Sequence, residues 1–234
     1  RDHGYRTVSM HGYRRGMWPR ALLHPAYGFQ HSLFGEQLGE EPRIGWGLAD
    51  RVFFRKAVEE LATLENPYFA LLISLSSHHP YNYIPRSRRR LQLGRLEGSM
   101  IGDYMHSMAY LDDALRGFFR GMNKRGLLSR TVVAMYGDHD AHLLRWGTSE
   151  TLLAKAIEVS DIKRRQIGHS TWLGDRIPLM IVVPGGAGGQ VQGVGGQIDI
   201  APTLLRMLGV RRPRSFLGRA ILPEEEQPGR DQVV

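Results

Sequence analysis

Thr131-Val132-Val133-Ala134-Met135-Tyr136-Gly137-Asp138-His139-Asp140 is an apolar run that ends abruptly in a glycine and a polar cluster. β-Branched, apolar and aromatic residues in series suit a strand buried on both faces. Gly137 lets the backbone turn sharply where the strand ends. Asp138 and His139 then stand together at its carboxyl end. A carboxylate beside an imidazole suits Zn²⁺ or Mn²⁺, and the carboxylate also suits Mg²⁺ or Ca²⁺. The plain alternative is a turn with a capping Asp and an incidental His. Asp140 is a candidate outer partner for His139, and His142 a weaker candidate ligand.

Further strands and helices flank this run. Arg6 to His11 alternates as a short strand, and Tyr68 to Leu75 is a second apolar strand. Pro178 to Val183 is another. Met100 to Arg125 carries Ile101, Tyr104, Met105, Met108, Leu111, Leu115, Phe118 and Met122 at helical spacing, and Gly126 stops it. Val52, Phe53, Ala57, Val58 and Leu61 mark a helix for which Asp50 is the expected N-cap. Ser149 to Val159 is a short helix. Asp199 or Ile200 opens a last helix with Pro202 in its first turn and Gly209 at its end. Tyr13 to Arg20 and Tyr27 to Phe34 read as loops with short helical turns. Strands alternating with helices predict an α/β fold with a mostly parallel central sheet and helices on both faces. Arg1 to Gly4 reads as the exit from a helix, so an N-terminal portion is expected ahead of Arg1.

Composition narrows the function. The 234 residues with 42% hydrophobic content suffice for one substantial core. No apolar run reaches the roughly 20 residues needed to cross a bilayer. Without cysteine, disulfides and thiolate metal sites are excluded. The net charge of +8 suits anionic partners: nucleic acid, lipid or a phosphorylated substrate. Nucleic acid is disfavoured, because Arg86, Arg88, Arg89 and Arg90 cluster in a loop without interleaved aromatics. That cluster reads as a solvated loop or a contact for lipid headgroups. The Gly-rich stretch Pro184 to Gly196 lacks the Gly-Lys-Ser/Thr ending of a nucleotide loop and reads as a connector.

In parallel sheets, functional residues gather at the carboxyl ends of strands. One predicted strand ends at His11, one in Ser76-Ser77-His78-His79, and one in Gly137-Asp138-His139. Their convergence is the main chemical signal. Either His78 or His79 suits a hydrogen bond to a phosphoryl oxygen. His11 begins the pattern H-x₆-W-x-R, which ends with Trp18 and Arg20. Arginine suits bidentate recognition of phosphate.

These motifs carry a resemblance. In order along the chain stand Gly4-Tyr5-Arg6-Thr7, the H-x₆-W-x-R pattern, Trp46-Gly47-Leu48 with Asp50, and Pro67-Tyr68-Phe69. After them come Leu75-Ser76-Ser77-His78-His79-Pro80-Tyr81, Tyr110-Leu111-Asp112-Asp113-Ala114, Tyr136-Gly137-Asp138-His139, and Gly196-Gln197-Ile198-Asp199. The series resembles the extracytoplasmic catalytic domain of lipoteichoic acid synthases and related phosphoglycerol transferases, within the alkaline phosphatase/sulfatase superfamily. The resemblance implies that residues 1–234 are the C-terminal part of one sulfatase-like domain, with 210–234 a peripheral tail. It implies one divalent metal on Asp138 and His139, Mn²⁺ favoured. It also implies that His78 contacts the transferred phosphate, and that His11, Trp18 and Arg20 line a glycerophosphate pocket.

The implied reaction moves a glycerophosphate-type headgroup from a phospholipid such as phosphatidylglycerol to an envelope polymer or glycan. In the family a Thr nucleophile attacks, with a metal-binding Glu beside it; both belong upstream of the matched region. Neither Thr7 nor Thr131 has that context, so the chain alone is expected to be inactive. The parent is expected to be membrane-anchored at its N-terminus and to act outside the cytoplasm. Tyr13 stands where the synthases carry an acidic residue. A sulfatase or phosphodiesterase of the same superfamily, or a non-catalytic fragment, are the competing readings.

Overall fold

The computed structural model describes residues 3–39, 41–141, 177–192 and 194–222. The chain divides into two compact units, Arg1–Gly185 and Gly186–Val234. The first unit is built on a parallel sheet in the order β2-β1-β5, from β1 (Arg6–His11), β2 (His31–Leu33) and β5 (Tyr68–Ile73). β1 is central, with Val8 opposite His31 on one side and His11 opposite Ile73 on the other. Between β1 and β2 lies helix α1 (Arg20–Ala26). The turn α2 (Gly35–Leu38), the small hairpin β3 (Arg43–Ile44) and β4 (Gly47–Leu48), and helix α3 (Asp50–Leu61) lead to β5.

Strand alternation assigns β1 two different faces. Val8 and Met10 are fully buried against Phe53, Phe54, Ala57 and Val58 of α3. Behind α3 packs the long helix α4 (Met100–Lys124), through Ala114, Phe118 and Met122. Gly121 permits the approach, since a β-carbon there would meet Val58 at 3.2 Å. Each fully buried aliphatic or aromatic side chain in this layer contributes about 1.5–3 kcal/mol. Ser9 lies on the opposite face and bonds to His24 Nδ1 of α1 at 2.8 Å. Helices therefore cover both faces of the sheet, as the alternation of elements predicts.

Helix α4 follows its apolar stripe closely. Ser99 caps it, accepting from Gly102 N at 3.1 Å, and Gly126 leaves it at φ +66°. The stretch Thr131 to Tyr136 becomes β6 (Val133–Tyr136), and β7 (Leu179–Val182) pairs with it antiparallel. Tyr68 OH and Thr131 Oγ1 bond at 2.7 Å, tying the start of β5 to the approach to β6.

Three local expectations change. Tyr27 to Phe34 is not all loop: His31–Leu33 forms β2, a three-residue edge strand too short and polar to show a period. Asp50 is not the N-cap of α3 but its first residue, with Ala49 at the cap. β5 stops at Ile73 and is only half-buried, because it lies at an edge of the described sheet. The expected helix Ser149 to Val159 and His142 lie outside the described residues, as do Arg1 and Asp2.

The second unit holds a turn at Gln197–Asp199 and helix α5 (Ile200–Met207). Asp199 accepts from Gly196 N and Arg219 N, each at 2.8 Å, and these two bonds hold its carboxyl below the usual range. Thr203 Oγ1 donates to Asp199 O at 2.6 Å and accepts from Ile221 N at 3.1 Å. The Asp and Thr of this segment thus bind its returning strand of chain to the helix.

Candidate functional site

His11 ends β1 and Gly12 turns the chain away. A β-carbon on Gly47 would lie 2.4 Å from Gly12 O and 2.7 Å from Leu75 Cδ1, so only glycine fits this crossing. The crossing sets Trp46 over the strand ends. The Trp46 ring lies 4.2 Å from the His78 ring and 6.0 Å from the Trp18 ring, centroid to centroid. Arg20 Cζ sits 5.0 Å from the Trp18 centroid, within cation–π range. Trp18 has φ +48°, a left-handed backbone unusual for a bulky residue. Such conformations persist where surrounding contacts fix them, and they cluster at functional sites.

His11 and Arg20 share an electrostatic environment. Burial, then the Arg20 charge and His24, push the His11 imidazole down to about 3, so the ring is neutral near pH 7. Burial also lowers Arg20, against the raising pull of Asp138. Both His11 ring nitrogens and Arg20 Nη1 are buried and have no hydrogen-bond partner among the described residues. Leaving a buried polar group unbonded costs about 1–3 kcal/mol. His106 and Arg51 each hold one such atom elsewhere in the unit, whereas His11 holds its two at the carboxyl end of β1.

The two histidines at the other strand ends are posed alike. His78 Nδ1 lies 2.7 Å from His79 O, and His139 Nδ1 lies 2.6 Å from Asp140 O. A carbonyl can only accept, so each neutral ring carries its proton on Nδ1 and its lone pair on Nε2. Asp140 reaches His139 through this carbonyl. Asp138 Oδ1 accepts from His139 N at 3.1 Å and lies 3.9 Å from His139 Nε2. Both side chains are exposed. Among the described residues no group of three or more His, Asp or Glu gathers as a metal site.

Among the sequence-predicted site residues, ring contacts join Arg20 to Trp18 and, through Trp46, Trp18 to His78. Arg20 acts on His11 and with Asp138 through charge alone, and His139 N bonds to Asp138. Trp46 is the linking residue that the strand-end and spacing signals missed; it appears in the sequence only within the Trp46-Gly47-Leu48 motif. Arg43 was missed too. Its guanidinium donates to Trp46 O at 2.9 Å and lies 5.9 Å from the Tyr13 ring. Tyr13, Met17, Arg43, Gly45 and Trp46 line a shallow cleft of about 390 Å³.

Asp50 braces the whole assembly from below. Its buried carboxylate accepts from Leu75 N at 3.0 Å and Ser76 N at 3.2 Å, and its own N donates to Ser76 Oγ at 3.0 Å. Burial raises its carboxyl to about 6, against these bonds. Helix α3 is therefore pinned to the segment that delivers His78. The described threonines, Thr7, Thr63, Thr131 and Thr203, each donate to a backbone carbonyl.

Residues 1–210 match the family model described as Sulfatase. The chain belongs to the sulfatase family. Lipoteichoic acid synthase 1 of Bacillus subtilis (strain 168) is 31% identical over 216 residues, covering 88% of this chain and 31% of the synthase. Lipoteichoic acid synthase of Staphylococcus aureus (strain USA300) is 26% identical over 209 residues, with 88% and 31% covered. The chain thus spans about a third of the length of the curated relatives it matches. The crystal structure of the lipoteichoic acid synthase LtaP from Listeria monocytogenes superposes with TM-score 0.79 at 26% identity, covering 94% of this chain and 54% of that one. This sulfatase-family chain accordingly has the α/β architecture of the alkaline phosphatase superfamily.

Proposed function

We propose that the chain forms part of the catalytic domain of a metal-dependent phosphotransferase. It would move a glycerophosphate-type headgroup from a phospholipid such as phosphatidylglycerol to an envelope glycan or polymer. One observation carries this reading: the buried His11 ring nitrogens at the end of β1 and the buried Arg20 Nη1 at the start of α1 have no hydrogen-bond partner among the described residues, and Arg20 acts electrostatically on His11 and with Asp138. A phosphoryl oxygen fits the guanidinium and a hydroxyl fits a neutral imidazole. The relatives named above are all lipoteichoic acid synthases.

Each residue has a chemical task. Arg20 binds phosphoryl oxygens through its planar fork, held in place by the Trp18 face. His11, kept neutral, donates to or accepts from a glycerol hydroxyl. As an imidazolium, His78 would donate from Nε2 to a phosphoryl oxygen, its ring fixed by Trp46 and by the Nδ1–H bond to the His79 carbonyl. Asp138 and His139 would hold a divalent ion, Mn²⁺ favoured; their oxygen and Nε2 donors suit it and supply two positions of a site. When bound, such an ion lowers the pKa of an attacking hydroxyl and neutralises phosphoryl charge. The nucleophile in this reading is a Thr outside these 234 residues, and the working protein is membrane-anchored and extracytoplasmic.

The test is turnover by the reading frame that contains this chain. Supplied with Mn²⁺, it should release diacylglycerol from phosphatidylglycerol and leave an aryl sulfate intact. Hydrolysis of the sulfate instead would establish the second reading, a hydrolase of the same family. That reading draws on Tyr13, which stands under Arg43 where the synthases carry an acid.

A further inference from the structure

Helix α1 is polar inside and apolar outside. Its inward side carries His24, buried and bonded to Ser9, and Arg20. Its outward side carries Leu22, Leu23, Pro25 and Ala26 and no charge at all. Leu22 is 76% exposed, Leu23 40%, and Tyr27, just past the helix end, 71%. A surface helix in water shows the reverse polarity. The charge around α1 is mostly of one sign, although Glu36 accepts from Arg15 N at 3.1 Å. Between Asp2 and Glu36 the sequence has no acidic residue, but it has Arg6, Arg14, Arg15 and Arg20. Arg6 is bridged to Glu65, whereas Arg14 and Arg15 lie exposed in the loop that enters α1.

We propose that the outer face of α1, with Arg14 and Arg15, docks on an anionic lipid surface. Leu22 and Leu23 enter the interfacial region, Tyr27 sits at headgroup depth, and the two arginines meet lipid phosphates. A second protein is a poorer occupant. Three exposed side chains fall well short of the roughly 800 Å² per partner that a stable protein interface takes. Shallow insertion of a few apolar residues, reinforced by cationic ones, is how interfacial helices hold. The same helix carries Arg20 on its inner side, so docking places the His11–Arg20 site at headgroup level. That last consequence, unlike docking itself, rests on the transferase reading.

The 234-residue chain should be floated with vesicles of phosphatidylcholine alone, or doped with phosphatidylglycerol or with phosphatidylserine. Binding should appear on both anionic vesicles and weaken as salt rises. The double variant Leu22→Ser/Leu23→Ser should bind about tenfold more weakly, from the lost apolar burial, with an unchanged melting profile. Arg14→Gln/Arg15→Gln should lose the preference for anionic vesicles. Equal binding by the wild type and the leucine variant would overturn the proposal. So would a dimer in analytical ultracentrifugation that the leucine variant dissolves, which would assign the face to a second copy. Binding to both anionic vesicles without phosphatidylglycerol turnover by the longer reading frame would uphold docking and reject the transferase reading. Turnover of a soluble glycerophosphoryl donor by a protein that ignores vesicles would do the opposite.

Discussion

The Trp46 indole packs tilted against the His78 imidazole, with centroids 4.2 Å apart and an interplanar angle of 36°. Its other aromatic contact, to Trp18, makes it the bridge between the histidine proposed to contact phosphate and the residues around Arg20. An aromatic pair adds about 0.5–1.5 kcal/mol beyond its area burial. Trp46→Ala removes both pairs, and affinity for glycerol phosphate should fall about tenfold in a calorimetric titration. Trp46→Phe should restore most of it. An unaltered affinity in Trp46→Ala would show that His78 is oriented by the His79 carbonyl alone.

Gly47 makes that packing sterically possible. A methyl group there meets a backbone oxygen, which cannot swing aside as a flexible side chain can. Gly47→Ala should cost about 1–3 kcal/mol, the usual penalty of overpacking. Urea denaturation followed by tryptophan fluorescence reads this directly, and an unchanged midpoint would contradict it.

Asp50 gives a pH signature with a definite sign. Unfolded, its carboxyl titrates near the ordinary 3.8; folded, near about 6. Between these values the folded chain holds the extra proton, so this group's contribution to stability falls as pH rises from 3.8 to 6 and stays low above. The loss is about 3 kcal/mol by linkage. His11 acts oppositely. Its folded value of about 3 lies below the unfolded 6.5, so its contribution rises across that window. In Asp50→Asn only the rising part remains. Denaturation midpoints at pH 4 and pH 6 should therefore show the stability gap between wild type and variant shrinking with pH. A constant gap would mean that Asp50 is already ionised at pH 4.

The elements with long or strong patterns were legible in the residues. The α4 stripe, the Gly126 stop and the run into Asp138-His139 are local signals, and local physics decides them. His31–Leu33 was not legible, because three residues cannot display a period and its pairing with β1 is a tertiary fact. Asp50 looked like a cap because Asp before an apolar helix usually caps. Its preference for the Leu75 and Ser76 amides depends on residues 25 and 26 positions away. His11 and His78 stand out at strand ends and Trp18 and Arg20 in the H-x₆-W-x-R pattern, while their roles rest on the family resemblance. Trp46 escaped because a lone Trp in a loop reads as packing, and only the Gly47–Gly12 crossing shows where it is placed.

Asp138 and His139 offer two donors from adjacent residues, too few for tight binding. Isothermal calorimetry of the 234-residue chain should show weak Mn²⁺ binding. In the longer reading frame, Asp138→Asn or His139→Ala should each weaken it by about tenfold or more, at least the cost of losing an outer partner. Tight binding by the 234-residue chain that survives both substitutions would move the metal elsewhere.

Arg20→Lys separates charge from geometry. Lysine keeps the positive charge opposite Asp138 but loses the planar fork and its stacking on Trp18. If Arg20 only balances Asp138, the variant should behave as wild type. If it grips a phosphoryl group, affinity for glycerol phosphate should drop about tenfold to a hundredfold, the worth of a charge-assisted bidentate contact. The loss should appear in KM for the headgroup donor more than in kcat, because the fork binds oxygens that are charged before and after transfer. Arg14→Lys, outside the site, is the control: it should leave KM for a soluble donor unchanged. A kcat loss at constant KM would instead place Arg20 in transition-state stabilisation, where the phosphoryl charge shifts as the bond breaks.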